Sequence, residues 1–175
     1  MQIKSPTSQD EFEQIFKLNY GTFVEEIPQH MENDAKSLID KYHDKNNYLI
    51  AKKDNEVLGM ICYNSVRPFS LDEKLDALDK YLPSYSKIVE VRLFTVTKSS
   101  RKGVIAFRLL KHCINVLLDQ GFDLAIISGT VRESAFFRKI GLVPFGPLVG
   151  EESARFQPMY VTLSNLNRDF INKSN

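Results

Sequence analysis

The sequence is poor in the residue types that build metal and redox sites. It has no tryptophan, two cysteines and three histidines. His30, His43 and His112 stand far apart, and Cys62 and Cys113 lack CxxC spacing, so we expect no bound metal. Both cysteines lie in apolar surroundings, as is typical of buried thiols in a reducing compartment.

Neither positive nor negative charge is in clear excess. The 23 Lys and Arg residues balance 22 Asp and Glu residues, which leaves a formal net charge of +1 and a pI near 7.7. A nucleic-acid-binding domain usually has a strongly basic face, so we expect no nucleic-acid partner. No apolar run reaches the roughly 20 residues of a membrane span, and the polar first residues do not resemble a secretion signal. We therefore expect a cytoplasmic protein without a membrane span.

Repeats, low-complexity tracts and linker-like stretches are also missing from the sequence. Its 175 residues, 43 % of them hydrophobic, suit one globular domain with a single core. We therefore expect one domain over residues 1–175. The sequence leaves open whether this domain is a monomer or a homodimer.

What is present is an alternation of helical and strand-like patterns. Helices are predicted over about 8–24, 34–44, 71–82 and 132–140, with a longer one that Gly121 ends, and strands over 2–6, 48–51, 57–63, 87–96, 123–129, 142–148 and 156–163. The order is two helices, a β-meander and then β-α-β-α-β-β. A strand–helix–strand unit of this length favours a parallel pair, so we expect an α/β fold with a mixed sheet.

The segment from residue 87 to residue 121 is the most informative part of the chain. A strand-like run over 87–96 ends in the basic turn from Thr97 to Gly103, and an amphipathic helix follows at once. The first N–H groups of a helix have no partner within it, and the helix dipole is positive there. This arrangement predicts a binding site for a phosphate or pyrophosphate group.

Motifs in and after this segment carry a family resemblance. The run Arg101-Lys-Gly-Val-Ile-Ala106 resembles the acyl-donor motif Arg/Gln-x-x-Gly-x-Gly/Ala of the GNAT superfamily of N-acyltransferases, with Val104 in place of the middle glycine. The run from Phe136 to Leu142 resembles a later motif of that family, with Phe137 where many members have tyrosine. The segment from Glu90 to Phe94 resembles the N-acyl amino acid synthases and acyl-homoserine-lactone synthases within the superfamily.

The resemblance implies a central mixed sheet of about six or seven strands, flanked by helices on both faces. It also implies a thioester donor, which is acetyl-CoA, a longer acyl-CoA or an acyl carrier protein. The pantetheine arm of the donor would pair with the strand at Phe94, Thr95 and Val96. The remaining donor-site residues that the resemblance implies are Arg101, Lys102, Gly103, Val104, Ile105, Ala106 and Phe137.

Amide formation from a thioester needs a neutral amine, a stabilised oxyanion and a departing thiolate. Strand alternation places four side chains on one face: Glu90, Arg92, Phe94 and Val96. Glu90 is our candidate for the base that accepts the amine proton, and Arg92 is our candidate for holding the carboxylate of an amino-acid acceptor. The alternative is that Glu90 and Arg92 belong to a structural ion-pair network, because a charge on an interior strand must be paired.

Phe137 has no hydroxyl and cannot protonate the leaving thiolate as a tyrosine would. Three interpretations stay open: the thiolate leaves unaided because its pKa is only roughly 8.5 to 9, Ser134 or Tyr160 donates a proton, or the protein does not catalyse. Near the N-terminus, Glu25 and Glu26 are interpreted as a solvated helix end in preference to substrate ligands.

The leading hypothesis is an enzyme that transfers an acyl group from a thioester donor to the primary amine of a small molecule, such as an amino acid. The alternative is a non-catalytic module of the same fold that senses acyl-CoA or docks on another protein. A P-loop or Rossmann nucleotide site is disfavoured, since neither glycine pattern is present in the sequence.

Overall fold

The computed structural model describes residues 1–101 and 104–172 of the chain. Within these ranges the strands are β1 (Gln2–Lys4), β2 (Asn47–Lys53), β3 (Glu56–Asn64), β4 (Ile88–Val96), β5 (Leu124–Thr130), β6 (Val143–Pro144) and β7 (Phe156–Thr162). The α-helices are α1 (Gln9–Tyr20), α2 (Ser70–Lys74), α3 (Ile105–Asp119), α4 (Ser134–Ile140) and α5 (Arg168–Asn172). A π-helical turn over Gly21–Glu26 continues α1, and short 3₁₀ turns lie at His43–Lys45, Leu78–Tyr81, Lys98–Ser100 and Val131–Glu133.

The strands form one mixed sheet of seven strands in the order β1-β2-β3-β4-β5-β7-β6. Most of the pairings are antiparallel: β1 with β2, β2 with β3, β5 with β7 and β6 with β7. β4 and β5 pair in parallel, with Ile88–Glu90 opposite Leu124–Ile126. The predicted parallel pair and the predicted α/β class, a mixed sheet flanked by helices, are both confirmed.

The chain divides into two compact units, Met1–Tyr63 with Arg92–Val116 and Asn64–Val91 with Leu117–Asn175. The division falls inside β4, between Val91 and Arg92. The expectation of a single domain over the whole chain stays a prediction.

The first unit is built on the apolar face of α1. Ser8 caps this helix by accepting the Glu11 N–H at 3.3 Å, as the capping-box spacing predicts. Ile15 and Phe16 on α1 then pack with buried residues of β2 and β3: Tyr48, Ile50, Val57, Met60 and Cys62. The periodic apolar residues of 8–24 are therefore core residues of this unit.

The second unit is built on the long antiparallel pair of β5 and β7, in which Leu124–Thr130 lies opposite Phe156–Thr162. Its buried residues include Ile126 and Met159, both fully inaccessible. α4 ends at Gly141, whose φ of 108° lies in the left-handed region. A Cβ there would lie 1.9 Å from the Asn165 carbonyl oxygen, so only glycine fits this helix end.

The helix predicted over 34–44 is wrong. Apart from the 3₁₀ turn His43–Lys45, this stretch is irregular. Lys36 has a left-handed φ of 47°, and the Asp40 carboxylate accepts the Tyr42 N–H at 3.1 Å. A side chain that takes up backbone donors in this way competes with the helix.

Other boundaries differ for local reasons. The helix predicted over 71–82 is divided because Ala77 adopts a left-handed φ of 54° between α2 and Leu78–Tyr81. The strand predicted over 142–148 is reduced to Val143–Pro144, and Gly146 turns the chain with a φ of 60°. The sequence pattern does not predict α5.

Candidate active site

The end of β4 is fixed to β3 where the basic turn begins. The Thr97 N–H donates to the Leu58 carbonyl oxygen at 2.9 Å, and the Thr97 carbonyl oxygen accepts the Ser100 N–H at 2.9 Å. The Thr97 hydroxyl also donates to the Ser100 hydroxyl at 2.8 Å. These bonds hold the first residues of the turn in a defined conformation directly after Val96.

β3 and β4 approach closely beside this turn because residue 59 is glycine. A Cβ at Gly59 would lie 2.7 Å from Val96 Cγ1 and 3.0 Å from the Thr95 carbonyl oxygen. Both distances are shorter than ordinary contacts of a Cβ atom. The position of the β4 end therefore depends on the missing side chain at Gly59.

A pocket of about 430 Å³ lies beside the strand end and the turn. Its lining comes from α1, the π-helical turn, the end of β4 and the basic turn: Lys17, Leu18, Gly21, Thr22, Glu26, Val96, Thr97, Lys98, Ser99 and Arg101. We call it the basic pocket, because three of these side chains are cationic and one is acidic. Such a lining favours an anionic ligand.

Glu26 and Arg101 form a bidentate ion pair in the basic pocket. Arg101 Nη1 donates to Glu26 Oε2 and Arg101 Nη2 donates to Glu26 Oε1, both at 2.7 Å. Lys98 Nζ lies 3.9 Å from Glu26 Oε1. Glu26 is exposed at the end of the π-helical turn, which is consistent with a solvated helix end, and its carboxylate also attracts two cations of the basic turn.

The helix start predicted to hold the phosphates belongs to α3, which begins at Ile105. The Arg108 N–H donates to the Val104 carbonyl oxygen at 2.9 Å. Ile105 and Ala106 belong to the first turn of α3, where backbone N–H groups have no partner within the helix. Lys102 and Gly103, which the resemblance also places here, lie outside the described residues. The phosphate site over Arg101 to Ala106 stays a prediction.

β4 contains an irregularity in its middle, at Leu93. This residue has a left-handed φ of 53°, which is rare for leucine, and such a residue interrupts the regular alternation of side chains along a strand. The alternation from which we predicted one shared face therefore does not continue from Arg92 to Phe94. After the irregularity, the buried Thr95 hydroxyl hydrogen-bonds with the Thr22 hydroxyl at 2.6 Å.

Glu90 lies in the second unit and is only 1 % exposed. Its Oε2 accepts the Ser70 N–H at 2.9 Å, and its Oε1 accepts the Ser70 hydroxyl at 2.6 Å and the Leu71 N–H at 3.1 Å. These donors are the first groups of α2, so the carboxylate holds the start of that helix. The geometry supports the structural alternative for Glu90, and its role as a base stays a prediction.

Arg92 lies in the first unit and forms an ion pair that is mostly buried. Its Nη1 and Nη2 donate to the Asp40 carboxylate at 2.6 and 3.0 Å, and its guanidinium lies 4.5 Å from the centre of the Tyr42 ring. Asn46 donates to Asp40 at 2.8 Å. Burial alone would raise the pKa of the Asp40 carboxyl, but the hydrogen bonds and charge of Arg92 outweigh burial and lower it.

Phe137 packs in the second unit against β5. A Cβ at Gly129 would lie 2.8 Å from the Phe137 ring, so the missing side chain of Gly129 makes room for it. Ser134 is the first residue of α4, and the Tyr160 ring lies 5.9 Å from that of Phe145. Two interpretations of thiolate departure stay open: the thiolate leaves unaided, or Ser134 or Tyr160 donates a proton.

The structure brings together only part of the predicted donor site. Val96 and Arg101 line the basic pocket, whereas Phe94 and Thr95 do not. Sequence reasoning missed Lys17 in the lining of the basic pocket, Asp40 as the partner of Arg92 and Ser70 as the partner of Glu90. It considered Glu26 but not its pairing with Arg101. The basic composition of 97–103 could have prompted a search for a nearby acid, but no sequence signal identifies Asp40 as the partner of Arg92.

Among residues 1–101 and 104–172 there is no group of three or more His, Cys, Asp or Glu side chains placed to hold a metal ion. No helix in the same ranges is long and apolar enough to cross a membrane.

Comparison with known proteins identifies one family and a set of similar folds. The model of the acetyltransferase (GNAT) family matches residues 12–142, while no curated protein matches at a significant level. The CoA-dependent acyl-homoserine lactone synthase MesI superposes with a TM-score of 0.80 at 15 % identity, over 99 % of this chain and 94 % of MesI.

Two further solved structures are similar. The CoA-dependent acyl-homoserine lactone synthase BjaI, solved with SAM and isopentyl-CoA, gives a TM-score of 0.78 at 24 % identity over 95 % of this chain and 81 % of BjaI. An acyl-CoA N-acyltransferase from Pseudomonas aeruginosa gives a TM-score of 0.63 at 15 % identity, over 91 % of this chain and 96 % of that protein. At these identities the likeness shows a shared fold.

Proposed function

The chain belongs to the acetyltransferase (GNAT) family and is an acyltransferase, and we propose that it moves an acyl group from acyl-CoA to the primary amine of a small molecule. The observation that carries this proposal is the basic pocket at the end of β4. Lys98 and Arg101 lie there directly after the strand, in the run of sequence that resembles the acyl-donor motif.

In this proposal the donor phosphates bind in the basic pocket and at the start of α3. Lys17, Lys98 and Arg101 supply positive charge, and the N–H groups of Ile105 and Ala106 supply hydrogen-bond donors. The pantetheine arm then runs along Phe94 to Val96. MesI and BjaI are both CoA-dependent, and BjaI was solved with isopentyl-CoA, which supports an acyl-CoA donor for the present chain. A carrier-protein thioester is the alternative, because it presents the same arm and a phosphate.

The acceptor in this proposal is an amino acid or a derivative of one. BjaI was solved with SAM, which has a primary amine and a carboxylate on the same carbon. The presence of SAM in that structure supports an acceptor of this chemical class for the present chain.

The reaction is amide formation by direct attack. The amine nitrogen attacks the thioester carbonyl carbon, the C–S bond breaks, the thiolate leaves and the nitrogen gives up one proton. Glu90 is the proposed acceptor of that proton, although Ser70 and Leu71 already donate to both of its oxygens. Arg92 is the proposed partner of the acceptor carboxylate, and Asp40 would have to give up part of its pairing for this.

The test is thiol release from acetyl-CoA, isopentyl-CoA, longer acyl-CoAs and carrier-protein thioesters, each against a panel of amino acids and SAM. We expect thiol release that depends on the amine, with a product of the mass of the N-acylated amine. An Arg101→Gln variant should raise the KM for acyl-CoA, because it removes charge from the basic pocket. Binding of CoA by calorimetry without thiol release from any donor would favour the acyl-CoA-sensing module instead.

A further inference from the structure

Glu26 is the one acid among the described residues that line the basic pocket. Its two carboxylate oxygens take up both terminal nitrogens of Arg101 at 2.7 Å. This fork-to-fork geometry is the one that a phosphate group would use on the same guanidinium. Glu26 therefore occupies the position in which an incoming phosphate would pair with Arg101.

We propose that Glu26 sets the donor preference of the basic pocket by penalising each additional phosphate charge. The inference rests on the proposed function, in which the donor phosphates bind in this pocket. A phosphate that enters must either displace the Glu26 carboxylate from Arg101 or lie beside it, and like charges at close range repel. The penalty rises with the charge of the donor, because each phosphate within reach of Glu26 adds repulsion.

Donors that share the pantetheine arm differ in this charge. Coenzyme A carries a pyrophosphate and a separate phosphate monoester, dephospho-CoA carries the pyrophosphate alone, and 4′-phosphopantetheine carries a single phosphate monoester. Near pH 7 coenzyme A therefore carries about four negative charges, whereas dephospho-CoA and 4′-phosphopantetheine each carry about two. Glu26 is thus expected to weaken the binding of coenzyme A most and that of the other two ligands less, by similar factors.

The backbone of the π-helical turn keeps Glu26 at the pocket. The Ile27 N–H donates to the Thr22 carbonyl oxygen at 2.9 Å, which closes the turn, and the Thr22 hydroxyl bonds to that of Thr95. The Glu26 side chain is 24 % exposed and Arg101 is 38 % exposed. Relief of the repulsion must therefore come from rotation of the side chain, since the turn itself is held in place.

Glu25 provides a matched control. It is the neighbouring acid on the same turn and is exposed, but it is not among the residues that line the basic pocket. Glu25→Gln and Glu26→Gln remove the same charge from the chain one residue apart. A difference between the two variants therefore reports the local position of the carboxylate and not the net charge of the protein.

The experiment measures dissociation constants of coenzyme A, dephospho-CoA and 4′-phosphopantetheine by calorimetry for the wild-type chain, Glu26→Gln and Glu25→Gln. We expect Glu26→Gln to tighten the binding of coenzyme A by about fivefold, and that of dephospho-CoA and of 4′-phosphopantetheine each by no more than about twofold. Glu25→Gln should bind all three ligands as the wild type does. The gain in Glu26→Gln should shrink at high salt, because screening weakens the repulsion that was removed.

Three results would overturn the inference. They are unchanged or weaker binding of coenzyme A in Glu26→Gln, equal tightening of all three ligands, and the same gain in Glu25→Gln. Thermal unfolding of each variant checks its folding, and Glu26→Ala repeats the test if the glutamine variant does not fold. Failure of the wild type to bind any of the three ligands is a different result, because it removes the donor site of the proposed function itself.

Discussion

Replacing Glu90 with glutamine separates the two roles that this buried carboxylate can have. Glutamine has nearly the same shape, but its amide can keep an acceptor oxygen at only one of the two carboxylate positions. More hydrogen bonds are kept if the amide oxygen takes the position of Oε1, where it accepts the Ser70 hydroxyl and the Leu71 N–H. The amide NH₂ then takes the position of Oε2 and faces the Ser70 N–H. One buried donor then has no acceptor, and the charge at the start of α2 is lost.

The expected cost follows from these contacts. Hydrogen bonds to a charged group contribute about 1.5–3 kcal/mol, and a buried donor without an acceptor costs about 1–3 kcal/mol. Some of these contributions overlap, so we expect Glu90→Gln to lower the free energy of unfolding by about 2–4 kcal/mol. Urea unfolding followed by far-UV circular dichroism measures this change.

Ser70→Ala is the matched control, since it removes only the hydroxyl donor and should cost about 1 kcal/mol. If the two residues act on the same helix start, the costs in the double variant should be less than additive. A Glu90→Gln variant that unfolds at the wild-type urea concentration would refute the structural role. Turnover of the folded variant that stays at the wild-type value would remove Glu90 as the base, whereas a loss of about 10²-fold or more with unchanged KM would support it.

Three other measurements test separate parts of the structure. Gly59→Ala should cost about 2 kcal/mol of unfolding free energy and raise the KM for acyl-CoA, because the new methyl group would displace Val96. A variant with wild-type stability and wild-type KM would refute the close approach of β3 and β4 at this position. Glu11→Gln should cost about 2 kcal/mol at neutral pH, since hydrogen bonds from Lys4 and Lys52 lower the pKa of the Glu11 carboxyl to about 2. The ionised carboxylate stabilises the fold above its unfolded pKa, so the difference between wild type and variant should disappear as the pH falls from about 4.5 towards 2; a difference that persists at acid pH would contradict this pairing. Raising salt from about 0.05 to about 0.5 M should weaken CoA binding roughly three- to tenfold, and a salt-independent affinity would mean that the basic pocket does not hold the phosphates.

The succession of strands along the chain and the family could be predicted because both depend on patterns that are local in sequence. The apolar period of α1, the capping pair at its start and the strand–turn–helix segment after Ile88 each lie within one stretch of chain. The match of the GNAT family model to residues 12–142 confirms the recognition, and the structural neighbours include acyl-homoserine lactone synthases, the branch that the Glu90 to Phe94 segment resembles.

The side-chain partners could not be predicted because they join distant segments. Arg92 and Asp40 are 52 positions apart, and Arg101 and Glu26 are 75 apart. The helix expected over 34–44 failed for the same reason, since Asp40 takes its hydrogen bonds from β4 and from its own loop. The prediction that side chains alternate along the whole of β4 was wrong at Leu93. A left-handed backbone there cannot be read from the pattern of apolar and polar residues.

The π-helical turn after α1 makes two distant attachments depend on one length of chain. Thr22 and Glu26 are four residues apart, and the wider winding of this turn directs the first to Thr95 and the second to Arg101. Deleting a single residue from Gly21–Glu26 would restore ordinary α-helical winding and rotate these side chains away from both targets. Insertions and deletions in this short stretch should therefore be far more harmful than substitutions at its exposed positions.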